Sequence, residues 1–447
     1  MILQKLLRLK LIQLARTKLI FFIPFFLLSC FGPVKELKYQ IEDSMDDSSS
    51  FSQNPIPLDD DFINSIQIEL KTAGSFSNGS QRNLEAVSID ENIFYPSANG
   101  KVISFNINNN KENWDYIHSS QITAGLEVLD LNLFFVDYDG FLICLNLSGV
   151  IEWKTFVGEV FTKPFAINNS VIIKTTNNKF FSFNTMDGSV NWYYQLPLSP
   201  LPVRSWGEIS YSDEIIYSGT SSGKVIAINY LNGLLMWETT YSPASGNSEI
   251  ERSNDTTSKV IIDEYIVYAV SSKGNIAALS KKDGKILWKR PLSSFEGLIL
   301  ENNNLFVTHN TGSIYCIDKN SQKVLWRNAE LLGRDVSRAI IYQNLLIVSD
   351  YEGYIHFLDQ TNGNILARIK ASSDLILKPL ILNNKQDLLL ISLNGEYQLI
   401  SINLEKYSRN PAQTDNVLQK NDLNEENVDI NSSRNDENIL DKLIFWD

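Results

Sequence analysis

The segment GKVIAINYLNGLLMW, residues 223–237, is one copy of a unit that recurs along the middle of the chain. It opens with a glycine, continues as an apolar run, turns at Asn-Gly and closes on a tryptophan. Seven such units open at Gly100, Gly140, Asn178, Gly223, Gly274, Gly312 and Gly353, and close at Trp114, Trp153, Trp192, Trp237, Trp288, Trp326 and Ala367. A repeat of this regularity indicates a fold built many times over from one supersecondary unit.

Each repeat has the pattern of four short antiparallel strands. Apolar runs lie on both sides of the opening residue, as in YIVYAVSSKGNIAALS (265–280). Pairs such as Asp187-Gly188 and Asn232-Gly233 supply the positive φ angles of two-residue hairpins. With the short run ahead of each unit, such as KVIID (259–263), four strands fit into roughly 40 residues, the size of a propeller blade.

The ends of the repeat region predict how the ring closes. An eighth opening residue, Gly395, has no partner tryptophan at the spacing of the repeat and no room for a fourth strand before the acidic tail, whereas the run SIQIEL (65–70) is a strand without a blade. We therefore predict an all-β, eight-bladed β-propeller over residues 63–406, whose last blade is closed by the N-terminal strand. The six closing tryptophans are predicted to be structural, filling the space between neighbouring sheets.

Residues 1–29 have the pattern of a lipoprotein signal peptide. Five Lys and Arg residues without an acid precede LIFFIPFFLL (19–28), an apolar run too short for a stable bilayer span. The following stretch LLSC resembles a bacterial lipoprotein box, which makes Cys30 the predicted lipidation site. The alternative is an ordinary signal peptide with an incidental cysteine. Phe31 stands where the sorting rule for lipoproteins uses Asp for inner-membrane retention, so we expect the outer membrane.

Charge separates the flanks from the repeat region. Residues 30–62 carry eight acids and two bases, and residues 407–447 carry nine acids and four bases. Both are predicted to be disordered, the first as a tether and the second as an acidic C-terminal tail. The net charge of -13 argues against a nucleic-acid partner.

The sequence predicts no catalytic, cofactor or metal site. GTSSG (219–223) fits the nucleophile-elbow pattern, but it is followed by a hairpin strand instead of a helix. Cys144 and Cys316 share one strand position in different units and are expected to be buried. The three histidines lack the spacing of metal ligands: His118, His309 and His356.

Two consecutive inter-blade loops are longer than the others. The third and fourth spacings between opening residues are 45 and 51, and their extra residues fall in SPLPVRSWG (199–207) and SPASGNSEIERSNDTT (242–257). Both loops join the outermost strand of one blade to the innermost strand of the next, so they emerge on one face of neighbouring blades. Insertions on one face are where repeat folds usually carry function, and Arg204 and Trp206 are residue types that anchor protein interfaces.

The Gly-to-Trp unit resembles the repeat of PQQ-like eight-bladed propellers. One branch of these proteins, the quinoprotein alcohol dehydrogenases, holds PQQ and calcium. This chain has neither the adjacent cysteines nor an evident calcium cluster of that branch. A PQQ-dependent dehydrogenase stays open as an alternative, and so does a propeller lipoprotein that binds another envelope protein.

The lipoprotein box, the eight repeats and GNSEIERSNDTT (246–257) are similar to the BamB family, the lipoprotein propellers of the outer-membrane β-barrel assembly machinery. The resemblance implies a scaffold without enzymatic activity or cofactor. It would face the periplasm and dock, with other members of the Bam complex, on the barrel-forming subunit BamA, helping unfolded barrel precursors to reach it. Carried over position by position, it assigns BamA contacts to Arg204, Glu249, Glu251, Arg252 and Asp255. The sequence departs from the family after Arg204, where it continues SWGEIS, and near Ser253, where the loop is shorter.

Overall fold

In a computed structural model of the chain, the described residues are 54–76, 78–197, 207–243, 254–382 and 387–404. They form 32 β-strands in eight four-stranded sheets. The predicted eight-bladed β-propeller is confirmed. None of the described residues belongs to a helix that could cross a membrane.

The first four blades follow one another along the chain. Their strands are β2 (Val87–Ile89), β3 (Asn92–Pro96), β4 (Lys101–Asn106) and β5 (Lys111–Ile117); β6 (Ile122–Leu129), β7 (Asn132–Asp137), β8 (Phe141–Asn146) and β9 (Ile151–Phe156); β10 (Phe165–Ile167), β11 (Ser170–Lys174), β12 (Lys179–Asn184) and β13 (Val190–Gln195); and β14 (Ser210–Ser212), β15 (Ile215–Thr220), β16 (Lys224–Asn229) and β17 (Leu235–Thr240).

The other four blades repeat the arrangement. Their strands are β18 (Ile261–Ile262), β19 (Ile266–Val270), β20 (Asn275–Ser280) and β21 (Ile286–Pro291); β22 (Leu298–Glu301), β23 (Asn304–Thr308), β24 (Ile314–Asp318) and β25 (Val324–Asn328); β26 (Ile340–Tyr342), β27 (Leu345–Ser349), β28 (Tyr354–Asp359) and β29 (Ile365–Lys370); and β30 (Leu380–Leu382), β31 (Asp387–Ile391), β32 (Glu396–Asn403) and β1 (Gln67–Ser75).

The ring closes in the eighth blade as the sequence predicts. Strand β1 pairs with β32, so the earliest strand of the chain completes the last sheet. Lys71 of β1 forms a 2.6 Å ion pair with Asp387 of β31, and Tyr397 of β32 donates a 2.7 Å hydrogen bond to the Asn110 side chain of the first blade. Closure of this kind leaves no gap in the ring between the first and last repeats.

Residues 54–66 lead to this closing strand along the sixth and seventh blades. The Ile56 amide donates to the Leu332 carbonyl at 3.0 Å, and the Ser65 amide donates to the Leu366 carbonyl at 2.7 Å. The predicted tether, residues 30–62, therefore ends in residues that pack on the propeller. Cys30, the rest of the tether and the predicted tail, residues 407–447, lie outside the described residues.

Each of the six closing tryptophans lies on the fourth strand of its blade, opposite a small residue of the third strand. The pairs are Ser104 with Trp114, Cys144 with Trp153, Ser182 with Trp192, Ala227 with Trp237, Ala278 with Trp288, and Cys316 with Trp326. Over the small residue the indole reaches an aromatic ring of the second strand in five blades, with centroids 5.8–6.0 Å apart. These three side chains, from the second, third and fourth strands, form a row across the blade. A large residue in the middle of the row would separate the two rings.

The seventh blade exchanges the large and small positions of this row. Ala367 stands where the other blades have tryptophan, and its partner on the third strand is Phe357. Both side chains are fully buried. The bulk that is missing from the fourth strand is thus supplied by the third strand, which explains the one departure from tryptophan among the seven units.

Candidate functional site

The two long loops start and end on one face of the propeller. First strands of adjacent blades contact each other, as β2 does β6 and β14 does β18, so they are the innermost strands around the axis. The first loop joins β13 to β14, and the second joins β17 to β18. In each case the chain passes from an outermost strand to the innermost strand of the next blade, as the spacing of the repeats predicts.

Most of the predicted contact residues lie within the parts of these loops, residues 198–206 and 244–253, that are outside the described residues. They are Arg204, Trp206, Glu249, Glu251 and Arg252. The residues just beyond each loop are described and lie side by side. A methyl group on Gly207 would be 3.1 Å from the carbonyl oxygen of Thr256 and 3.2 Å from that of Ser258. The ends of the two loops therefore converge on one spot.

The base of the second loop is closed by Asn254. Its side-chain amide donates to the carbonyl and hydroxyl oxygens of Ser242 at 2.8 and 2.9 Å, and its oxygen accepts the Lys273 amide at 3.0 Å. Asn254 and Ser242 are both buried. The two ends of the loop are thus held together by side-chain bonds that water reaches poorly, which strengthens them.

Asp255 is buried at this base, with 3% of its surface exposed. Its carboxylate accepts the Ser222 amide of the fourth blade at 2.9 Å, and its own amide and carbonyl bond to Ser272 of the fifth blade at 3.2 and 2.8 Å. This geometry does not fit the expectation that Asp255 touches a partner directly. The residue joins two blades beneath the loop.

Lys174 lies buried next to this base. Its ammonium donates a 2.6 Å hydrogen bond to the Gly219 carbonyl of the next blade. Burial lowers the pKa of Lys174 to about 8, against the opposing attraction of Asp255. The buried charges of Lys174 and Asp255 therefore lie beneath the face from which the loops emerge.

The mouth of the central channel on this face is lined by charged side chains that belong to none of the motifs described above. In seven blades a charged residue stands two positions before the first strand: Glu85, Lys163, Glu208, Lys259, Glu296, Arg338 and Lys378. With Arg82, Glu127 and Asp335 they form what we call the ionic ring, which holds five cationic and five anionic side chains. Nine of the ten line a cavity of about 110 Å³. The sequence signal that could have revealed this ring is a charged residue that recurs at one fixed position of an otherwise apolar repeat.

The ion pairs of the ring join neighbouring blades and also cross the channel. Lys163 pairs with Glu127 at 3.0 Å, and Lys378 pairs with Glu85 at 3.2 Å, each between adjacent blades. Arg338 of the seventh blade reaches Glu208 of the fourth blade at 2.7 Å. Side chains from distant blades thus meet over the axis.

Glu208 has the most cationic surroundings in the ring. Burial opposes its ionisation, but the charges of Arg338, Lys378 and Lys259 outweigh burial and hold the pKa of Glu208 well below its usual range. Glu296, by contrast, has its pKa raised by burial, although it accepts the Arg338 amide at 3.0 Å. The ring is therefore charged on both signs at neutral pH, with Glu208 ionised.

The residues considered for catalysis or metal binding lie in a hairpin, in the buried core or in pairs with an aspartate. GTSSG spans the end of β15 and the turn into β16, as expected for a hairpin. Cys144 and Cys316 are buried, which raises the pKa of each thiol to about 12. His118 contacts Asp137 at 2.8 Å, and His356 contacts Asp350 at 3.0 Å. Within the described ranges, no three His, Cys, Asp or Glu side chains are grouped to hold a metal ion.

Comparison with known proteins gives one consistent family. The sequence model described as outer membrane protein assembly factor BamB matches residues 98–328. The BamB of Shewanella oneidensis is 30% identical over 270 residues, covering 60% of this chain and 68% of the relative. The BamB of Nitrosomonas eutropha is 32% identical over 287 residues, covering 64% and 70%.

Solved structures agree on the fold. The crystal structure of BamB from Moraxella catarrhalis matches with a TM-score of 0.69 at 19% identity, covering 75% of this chain and all of that one. A quinohemoprotein alcohol dehydrogenase from Comamonas testosteroni matches with a TM-score of 0.62 at 10% identity, covering 79% of each chain. This second likeness shows the propeller fold alone. By its sequence and by the matched relatives, the chain belongs to the BamB family of outer membrane protein assembly factors.

Proposed function

We propose that this protein is a scaffold lipoprotein of the outer-membrane β-barrel assembly machinery. Its two long loops would dock on the periplasmic domains of a BamA-like subunit and so assist the insertion of β-barrel proteins. The observation that carries the proposal is the convergence of Gly207 with Thr256 and Ser258, because it brings the two longest inter-blade loops to one place on one face. Membership of the BamB family supports the same role.

The roles proposed for individual residues follow from their position relative to the loop bases. Arg204 and Trp206 of the first loop, and Glu249, Glu251 and Arg252 of the second, are proposed as direct contacts. Asp255 is proposed to act indirectly, because its buried carboxylate bonds to the backbone beneath the second loop.

The proposed location is the periplasmic face of the outer membrane. Residues 1–29 would be removed as a signal peptide, Cys30 would carry the lipid, residues 30–62 would link it to the propeller of residues 63–406, and residues 407–447 would form a tail. Other Bam subunits and unfolded barrel precursors are further proposed partners.

A PQQ-dependent dehydrogenase is the competing function, and it fits the channel mouth less well. A cofactor seated on the axis there would have to separate Arg338 from Glu208, which form a 2.7 Å ion pair. Incubation of the purified protein with PQQ and calcium should give neither bound cofactor nor dye-linked alcohol oxidation. Activity in that assay would reject the scaffold function in favour of a PQQ-dependent dehydrogenase.

Co-purification from solubilised envelope tests the docking proposal. The tagged protein should bring down a BamA-like subunit, identified by mass spectrometry, and Arg204→Glu or Glu251→Arg should reduce its yield at least roughly tenfold, as expected for loss of an interface anchor. Lys285→Glu is the matched control, since this exposed charge lies at a hairpin turn on the opposite face. Unchanged yield from both loop variants would contradict the assignment.

A further inference from the structure

The ionic ring makes direct contact with the bases of both long loops. Glu208 directly follows Gly207, the first described residue after the first loop, and Lys259 holds the equivalent position beyond the second loop, two residues before β18. The two side chains lie 3.8 Å apart. Arg338, which belongs to the seventh blade, completes the group with its 2.7 Å bond to Glu208. Glu208 is thus the shared partner of Lys259 and of Arg338 from across the channel.

Hydrogen bonds between side chains and the backbone also hold these residues in place. The Ser210 hydroxyl, two residues beyond Glu208, donates to the Val260 carbonyl at 2.5 Å, next to Lys259. The Arg338 amide is itself fixed by Glu296 of the sixth blade at 3.0 Å. Because Arg338 is held at its backbone, its side chain is a fixed point to which Glu208 is bound. Movement of Glu208 would move Gly207 and the backbone of Thr256 and Ser258 beside it.

We propose that Arg338 and Glu208 are positioning residues that hold the two loop bases in one fixed arrangement for docking. The ion pair is only 17% and 18% exposed at its two side chains, so it is poorly screened by salt, unlike a surface pair. Its effect on docking is indirect, since neither side chain belongs to the loops. This inference rests on the proposed docking function, but the positioning itself does not require a partner.

Hydrogen–deuterium exchange of the free protein tests the positioning. Glu208→Gln and Arg338→Gln should speed exchange of the amides at 207–210 and 256–260 about tenfold, while other blades stay protected. Exchanging the charges in Glu208→Arg with Arg338→Glu should restore part of the protection. Lys319→Gln is the control, because it breaks a similarly buried 2.6 Å pair with Asp263 on the opposite face and should leave these amides unchanged. If Arg338→Gln fails to fold, Arg338→Lys gives the milder change.

Affinity for the periplasmic domains of the BamA-like subunit separates the two proposals. Faster exchange together with at least roughly tenfold weaker binding supports both. Faster exchange with unchanged binding keeps the positioning but rejects its role in docking, while Arg204→Glu and Glu251→Arg decide whether the loops are the docking surface. Unchanged exchange overturns the positioning, and if binding is nevertheless weakened, Glu208 and Arg338 must touch the partner themselves.

Discussion

The indole of Trp192 lies against Gly233 of the next blade, and its N–H donates a 2.7 Å hydrogen bond to the Tyr230 carbonyl. A methyl group on Gly233 would be 2.7 Å from the ring, and the residue has a φ of 73°. The same relationship recurs four more times, for Trp114 with Gly149, Trp153 with Gly188, Trp237 with Gly284, and Trp326 with Gly363. The two recurring features of the repeat, tryptophan and turn glycine, are therefore one contact between neighbouring blades.

Gly233→Ala should destabilise the protein. The substitution places a side chain at positive φ, which costs about 1–2 kcal/mol, and also pushes against the Trp192 ring. The midpoint of urea unfolding should fall, with an unchanged slope if only stability changes. Gln322 offers the reverse experiment, because it occupies the turn position of the sixth blade at a φ of 61°. Gln322→Gly should raise stability by up to about 1 kcal/mol, and a loss of stability there would contradict the strain argument.

The exchanged pair of the seventh blade predicts strong coupling between two substitutions. Phe357→Ala should cost about 3–5 kcal/mol through the cavity it leaves, and Ala367→Trp should cost about 1–3 kcal/mol through overpacking. The double variant restores the row found in the other blades, so its cost should be well below the sum. Thermal or urea unfolding of the four proteins gives the coupling energy. If the cost of the double variant equals the sum of the two single costs, the side chains at 357 and 367 do not fill the same space.

The lowered pKa of Lys174 predicts that the free energy of unfolding increases with pH. Its pKa is lowered to about 8 in the folded protein, from 10.5 as a free side chain. Between these values the unfolded chain binds more protons than the folded one, so raising the pH favours folding. The gain is on the order of 1–3 kcal/mol from pH 8 to about 10.5. In Lys174→Met this contribution should be absent, and parallel stability curves for the two proteins would refute the prediction.

Asp255 and Glu249 should behave differently although both belong to the same family motif. Asp255→Ala removes the acceptor of the Ser222 amide and should lower the free energy of unfolding by about 1–3 kcal/mol. Glu249→Lys should leave the melting temperature unchanged while reducing co-purification of the BamA-like subunit. Calorimetry and pull-down on both variants check this. A stable Asp255→Ala protein that has lost only binding would return Asp255 to the direct contacts.

Lipidation is predicted to depend on Cys30 alone. The full chain should incorporate labelled palmitate and fractionate with the outer membrane, and Cys30→Ser should do neither. Cys144→Ser is the control, since this thiol is buried and its raised pKa makes it unreactive. Label retained in Cys30→Ser would place the lipid elsewhere.

The sequence by itself determined the number of blades, the four strands in each and the closing role of the N-terminal strand. These features follow from local patterns, because alternation, turn residues and repeat length act over neighbouring positions. The shared face of the two long loops followed in the same way, by counting strands. The resemblance to the BamB family rested on motifs that stand in the sequence itself.

Only the tertiary structure decided which side chains meet between blades. Glu208 and Arg338 are 130 positions apart and meet because the ring brings the fourth and seventh blades to a common axis. The burial of Asp255 and the exchange between Phe357 and Ala367 likewise depend on what packs against them. A residue type fixes what a side chain can do, but its neighbours across the ring fix its burial and charge surroundings, and no local pattern records them.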